Sequence, residues 1–321
     1  MKKSIIAISI AGIVAVIALI SFYNKTPPTN DVTLRIATNP WPGYEYLHLA
    51  EEKGFLKAEG ANIQLLRFLS MEDARRAFEL GKVDAFAGTL IELLQVNEYD
   101  APGKVIMISD YSAGPDIIVA RNAIKNVTDL KGKKIGVEQA TLSIFVVARM
   151  LEQAGLSLDD VKIIGINQKD MEEELLAGMV DAVHTYPPAS FAILQHKDKI
   201  HKIFDSSAIP EEIVGVTIIN PASVNRNKEN ILALKRAWDK AKDYAEKNPE
   251  QANKIMAEVE NITPAEFAES LKGINVLSVT KQQELMNSPK FAETIKKVAD
   301  VLHKIGELNQ EIKNPESFIE K

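Results

Sequence analysis

The chain has 321 residues, 46% hydrophobic and 26% charged, with a net charge of -6 and no cysteine. That balance fits a globular protein of about two domains and makes the molecule as a whole a poor partner for nucleic acid. Without cysteine there is no disulfide, no thiolate metal site and no thiol nucleophile.

In chain order, Lys2 and Lys3 precede an uncharged run whose core, Ile5 to Phe22, is almost wholly apolar. As a helix those eighteen residues span roughly 27 Å, close to the hydrocarbon thickness of a bilayer. The positive end stays in the cytoplasm and directs the rest across. The residues around Leu19 to Tyr23 offer no small-x-small cleavage pattern. Residues 1–24 are therefore expected to be an uncleaved membrane anchor, or else an export signal. Residues 25–32, with two prolines, read as a short stiff tether.

From Thr33 strands alternate with helices. Thr33 to Thr38 is strand-like, Tyr44 to Lys53 helical and closed by Gly54, and Asn62 to Phe68 a second strand. Ser70-Met-Glu-Asp73 opens a helix to Leu80, Gly81 turns the chain, and Val83 to Ala87 and Lys104 to Asp110 are further strands. The series then restarts. Lys134 to Val137 is a strand and Leu142 to Gln153 a helix closed by Gly155. Val161 to Ile166 is a strand, Asp170 caps a helix to Ala177, and Val180 to Val183 follows Gly178. Gly-Lys-Val-Asp-Ala at 81–85 returns as Gly-Met-Val-Asp-Ala at 178–182, and matching elements lie 97 to 101 residues apart. Short apolar strands separated by helices imply parallel sheets with covered faces. The ordered matches imply two similar α/β lobes.

Val214 to Ile219 is one more strand, and beyond it the chain is mostly helix. Asn220-Pro221, Asn248-Pro249 and Thr263-Pro264 each read as a cap followed by proline at the first helical position. Lobe 1 is thus expected at 33–112 and 215–321, with lobe 2 (113–214) inserted. Two crossings, near Ser112 to Asp116 and near Ile209 to Gly215, form a hinge beside a cleft at the carboxyl ends of the strands.

Several phrases resemble one family. Trp41-Pro-Gly-Tyr-Glu-Tyr-Leu followed by Ala50-Glu-Glu-Lys-Gly-Phe-Leu is similar to the opening of substrate-binding proteins of nitrate, sulfonate, taurine and thiamine-precursor ABC importers. So are Gly-Lys-Val-Asp-Ala, the run Ser109 to Asp116, and Asp129-Leu-Lys-Gly-Lys-Lys-Ile-Gly-Val137. The resemblance runs from about Thr33 to Phe204. It implies a two-lobed periplasmic-binding-protein fold of type II, each lobe a mainly parallel sheet flanked by helices. It further implies a monomer outside the inner membrane that hands a small organic or anionic ligand to a permease and its ATPase. A membrane-tethered ligand-binding sensor is the alternative. No His-Glu-x-x-His, Gly-x-Ser-x-Gly or Walker motif occurs, and the cysteine-rich motif of a pyrimidine synthase with this fold has no counterpart here. The expectation is a protein that is not an enzyme and that uses no cofactor or metal.

The candidate ligand contacts follow from strand ends. Trp41 and Gly43 follow the first strand, and the indole offers a flat wall or a face for a cation. Thr141 and Ser143 open the first helix of lobe 2, where free amides and hydroxyls suit an anion. Thr89 and Tyr186 follow the repeated Val-Asp-Ala strands. Tyr111, Ser112 and Asp116 lie at the first crossing. Asp84 and Asp181 read as braces of their turns, and His184 as a buried, hydrogen-bonded histidine. Relatives carry a glutamate after the aromatic residue, where this chain has Pro187 after Tyr186. That weakens the case for an amino-sulfonate such as taurine.

Overall fold

The computed structural model describes residues 32–98 and 101–320. The expected anchor, and all of the tether except Val32, lie outside the described residues. Among the described residues no helix is long and apolar enough to cross a membrane.

The strands are β1 (Leu34–Thr38), β2 (Ile63–Arg67), β3 (Ala85–Thr89), β4 (Lys104–Ser112), β5 (Ile117–Arg121), β6 (Lys134–Val137), β7 (Lys162–Gly165), β8 (Ala182–Thr185), β9 (Ile200–Asp205), β10 (Ile213–Ile219) and β11 (Ile274–Val276). They form two sheets, ordered β11-β4-β10-β3-β1-β2 and β7-β6-β8-β5-β9. With β11 set aside, each sheet has the same plan: three parallel strands with the first in the middle, then an antiparallel strand, then the last. The duplication read from the sequence is therefore a duplication of topology.

The sheets are mixed where mainly parallel ones were expected. In the first sheet β1, β3 and β4 run toward the crossings. A strand that begins at a crossing must run away from it. β5 starts after the first crossing and β10 after the second, so each enters its sheet antiparallel to its neighbours. The strand β10 is buried along its whole length, as a central strand covered on both faces must be.

The repeated phrase has a physical cause. Gly81 and Gly178 follow helices and adopt φ of 66° and 74°, a conformation that a Cβ makes costly. Three residues on, the aspartates do the same work in both lobes. Asp84 Oδ2 accepts the Arg35 amide at 3.1 Å, and Asp181 Oδ2 accepts the Lys134 amide at 3.0 Å. Each thus pins the third strand of its lobe to the start of the first, rather than bracing its own turn.

The helical caps follow the sequence with two exceptions. Ser70, Asn220 and Thr263 accept amides in the first turns of their helices. Asp170 makes no side-chain cap bond. Asn248 sits between two helices, and its side chain donates to Tyr244 O, so it closes the first helix instead of opening the second. The tail helices pack on the first lobe, where Trp238 of the helix Lys228–Lys247 is fully buried beside Tyr46.

Candidate functional site

Between the sheets lies a cavity whose walls stand close. The space between atoms comes to about 310 Å³ even with adjoining solvent counted. The loop after β1 supplies Asn39, Trp41 and Tyr44 to its lining. Trp41 meets Tyr186 of the second lobe edge to face, with ring centroids 6.0 Å apart, and Tyr44 at 6.4 Å. Tyr44 is fixed by its hydroxyl, which donates to Gly88 O at 2.7 Å. Three aromatic rings from two lobes thus wall one small space.

The polar lining is acidic. Asp110, from β4, accepts the Trp41 indole N–H through Oδ1 at 3.2 Å, and the neighbouring Ser109 hydroxyl also favours its charged form, while its buried Oδ2 makes no hydrogen bond of good geometry. Asn39 Oδ1 is a second buried acceptor without a partner. Asp116 accepts the Ser112 hydroxyl at 2.6 Å and lies 3.5 Å from His184 Nε2. None of the lining residues is Lys, Arg or His. Burial, opposed by nearby donors and reinforced by Asp116, pushes the Asp110 carboxyl up to about 6. Burial likewise raises Tyr44 and Tyr186 well above the ordinary phenol range, so both keep their protons.

Of the residues expected from the sequence, Trp41, Thr89, Asp116 and Tyr186 line the cavity. Gly43 lies beneath it. A Cβ there would stand 2.3 Å from Asp110 Oδ2 and 2.7 Å from the indole nitrogen. Gly43→Ala is therefore expected to separate Trp41 from Asp110 and lower stability by about 1–3 kcal/mol, read by chemical denaturation. Ser112 serves the hinge, holding Asp116 and touching Ser206 Oγ, 3.1 Å away, just before the second crossing. Thr141 caps its helix, and Ser143 bonds His184 Nδ1 at 2.9 Å.

Two expectations need correction. Tyr111 does not reach the cavity and lines a separate surface depression with Glu211 and Asn275. Alternation along β4 turns it to the face opposite Asp110 and Ser112. The start of the helix Leu142–Gln153 is not free for an anion either, because Leu142 N donates to Glu92 Oε1 at 2.7 Å. The sequence reading missed Asn39, Tyr44 and Asp110 in the lining and Glu92 at the helix start beside it. For Asp110 a signal existed, since Ser112 is among the expected residues and residues two apart on a strand share a face.

Comparison with known proteins identifies the family. The model described as NMT1/THI5 like matches residues 41–252. This chain belongs to the NMT1/THI5-like family. A relative from Brucella abortus (strain 2308), named as a binding protein, is 24% identical over 264 residues, 81% of each chain. The formylaminopyrimidine-binding protein of Halalkalibacterium halodurans is 21% identical over 257 residues, 77% of each chain. Among solved structures, the alkanesulfonate-binding protein SsuA from Xanthomonas axonopodis pv. citri, bound to MOPS, superposes with a TM-score of 0.74. It is 17% identical, and the match covers 89% of this NMT1/THI5-like chain and 96% of that one. The likeness establishes the two-lobed periplasmic-binding-protein fold for this chain.

Proposed function

We propose that the protein is the solute-binding component of an ABC importer. It captures a small ligand between lobe 1 (33–112 with 215–321) and lobe 2 (113–214) and delivers it to the permease. It works on the outer side of the inner membrane, a placement supported by the lysine-led apolar run Ile5 to Phe22. The ligand is a flat, nitrogen-bearing solute that presents N–H donors, of the aminopyrimidine type, and not a sulfonate or nitrate.

One observation carries this reading. The cavity has three aromatic walls, and its side-chain polar groups include two carboxylates and an amide oxygen but no cation. Two of the acceptors, Asp110 Oδ2 and Asn39 Oδ1, are buried without a partner. A buried unpaired acceptor is costly, and a ligand donor removes that cost. An anion would face Asp110 and Asp116, and no Lys, Arg or His lines the cavity to offset them. The relative named for formylaminopyrimidine binding supports the same chemistry.

The reading is of a binder, not a catalyst. Ser143, His184 and Asp116 do lie in a row, but Ser143 is fully buried and does not line the cavity. The row orients Asp116 toward the ligand and leaves the hydroxyl out of a substrate's reach.

A thermal-shift panel of aminopyrimidines, alkyl sulfonates, nitrate and bicarbonate tests the proposal, since a bound ligand raises the midpoint. The expected result is a shift with aminopyrimidines alone. A shift confined to the anions would overturn the ligand class. Trp41→Ala is expected to weaken binding at least tenfold while the protein still melts cooperatively, and unchanged affinity in calorimetry would remove the indole from the site.

A further inference from the structure

Two buried carboxylates cross the cleft in opposite directions. Glu92, from the first lobe, accepts the Leu142 amide of the second through Oε1 at 2.7 Å, and its Oε2 accepts the Thr89 amide and hydroxyl at 2.8 and 2.6 Å. Glu138, from the second lobe, accepts the Glu72 amide of the first through Oε1 at 3.2 Å, and its Oε2 accepts the Tyr186 hydroxyl at 2.9 Å. Both side chains belong to fully buried residues. Leu142 and Glu72 lie in the first turns of the helices Leu142–Gln153 and Met71–Glu79. Leu142 and Met71, which open those helices, both line the cavity. The carboxylates therefore sit beside the ligand space without being part of its lining.

We infer that Glu92 and Glu138 are the clamp's own counter-anions: they bond the lobes shut and occupy the helix-start amides that an anionic solute would need, so they determine that anions are rejected. An oxyanion bound in such a cleft is held by amides and dipoles at helix starts. Here those amides are satisfied from within, by carboxyl oxygens of the facing lobe. An incoming anion must displace a buried glutamate and then stand beside it. The closure part of this inference is independent of the proposed ligand, whereas the selectivity part rests on the reading of the cavity given above.

The chain has no cysteine, so spin labels can be placed cleanly. Leu80 and Met179 are exposed, at 63% and 57%, and each precedes a strand that runs toward the cleft, β3 or β8. Cysteines at the two positions therefore report the span across both lobes. Distances are measured by pulsed electron paramagnetic resonance in the parent, in Glu92→Ala, in Glu138→Ala and in the double variant. The expected result is a dominant short distance in the parent and at least a tenfold rise in the ratio of long to short distances in the double variant. Excess methanesulfonate is expected to leave the parent unchanged and to restore the short distance in Glu92→Ala. Alanine variants with the parent's distances would overturn the inference, as would a parent that methanesulfonate shifts. Should the alanine variants fail to melt cooperatively, Glu92→Gln with Glu138→Gln keeps the side-chain size and removes the charge. A long-to-short ratio raised at least threefold then supports the inference, and an unchanged ratio overturns it. Failure of every aminopyrimidine to bind, with the distances still dependent on the two glutamates, would sink the ligand reading and leave the closure standing.

Discussion

The expected result of Trp238→Ala is a loss of about 3–5 kcal/mol of unfolding free energy. Trp238 is fully buried on the helix Lys228–Lys247, and its ring lies 5.7 Å from that of Tyr46 on the helix Glu45–Glu52. Its indole N–H donates to Leu277 O at 2.8 Å, which ties the tail helices to the segment after β11. Alanine removes the largest fully buried side chain, opens a cavity between three elements and weakens that tie. Urea denaturation measures the loss. A loss below about 1 kcal/mol would mean that the tail is not part of the first lobe's core.

Asp110→Asn is expected to move stability and affinity in opposite directions. The folded protein holds the Asp110 carboxyl at about 6, against the usual 3.8, chiefly through burial. A carboxyl with a raised folded pKa contributes stability that is fully present below its unfolded value and is lost as pH rises through the folded one. Between pH 4 and pH 7 the wild-type protein therefore gives up about 3 kcal/mol at this one group. The substituted amide carries no charge, so the variant should be more stable than the parent by up to that amount at pH 7.5 and equal to it below pH 4. Glu138, which burial raises to about 7, keeps a similar slope in the variant at somewhat higher pH. Affinity for a donor-bearing ligand should fall about tenfold or more, because a hydrogen bond to a charged acceptor becomes one to a neutral amide. A residue whose removal stabilises the fold and weakens binding is held in place by function. Denaturation curves from pH 4 to 8, together with calorimetry, test both halves. A parent and variant with parallel pH profiles would contradict the account.

Much of this architecture can be read in the chain because it depends on local rules. Gly81 and Gly178 announce left-handed turns, and their shared phrase points to two lobes of one plan. Trp41 is legible because a strand's carboxyl end in an open sheet faces the cleft. What escapes depends on distant partners. Glu92 and Glu138 are single acids among apolar neighbours, and nothing near them in sequence tells that each takes an amide from the other lobe. The helix Leu90–Glu98 starts directly where β3 ends at Thr89, so no connecting loop separates strand from helix. β5 and β10 run antiparallel because of where the chain re-enters each sheet, which is a property of the whole topology. Asp110 is different, since residues two apart on a strand share a face and Ser112 already marks the cleft side of β4.

In the proposed binding mode, a cleft walled by Trp41, Tyr44 and Tyr186 takes its ligand through acceptors. The most direct test is a pair of calorimetric titrations of the wild-type protein at pH 7.5, one with a 4-aminopyrimidine and one with methanesulfonate. Micromolar binding of the aminopyrimidine, about 8 kcal/mol, with no heat from methanesulfonate is the predicted outcome. Saturable methanesulfonate binding, with the aminopyrimidine inert, would contradict it.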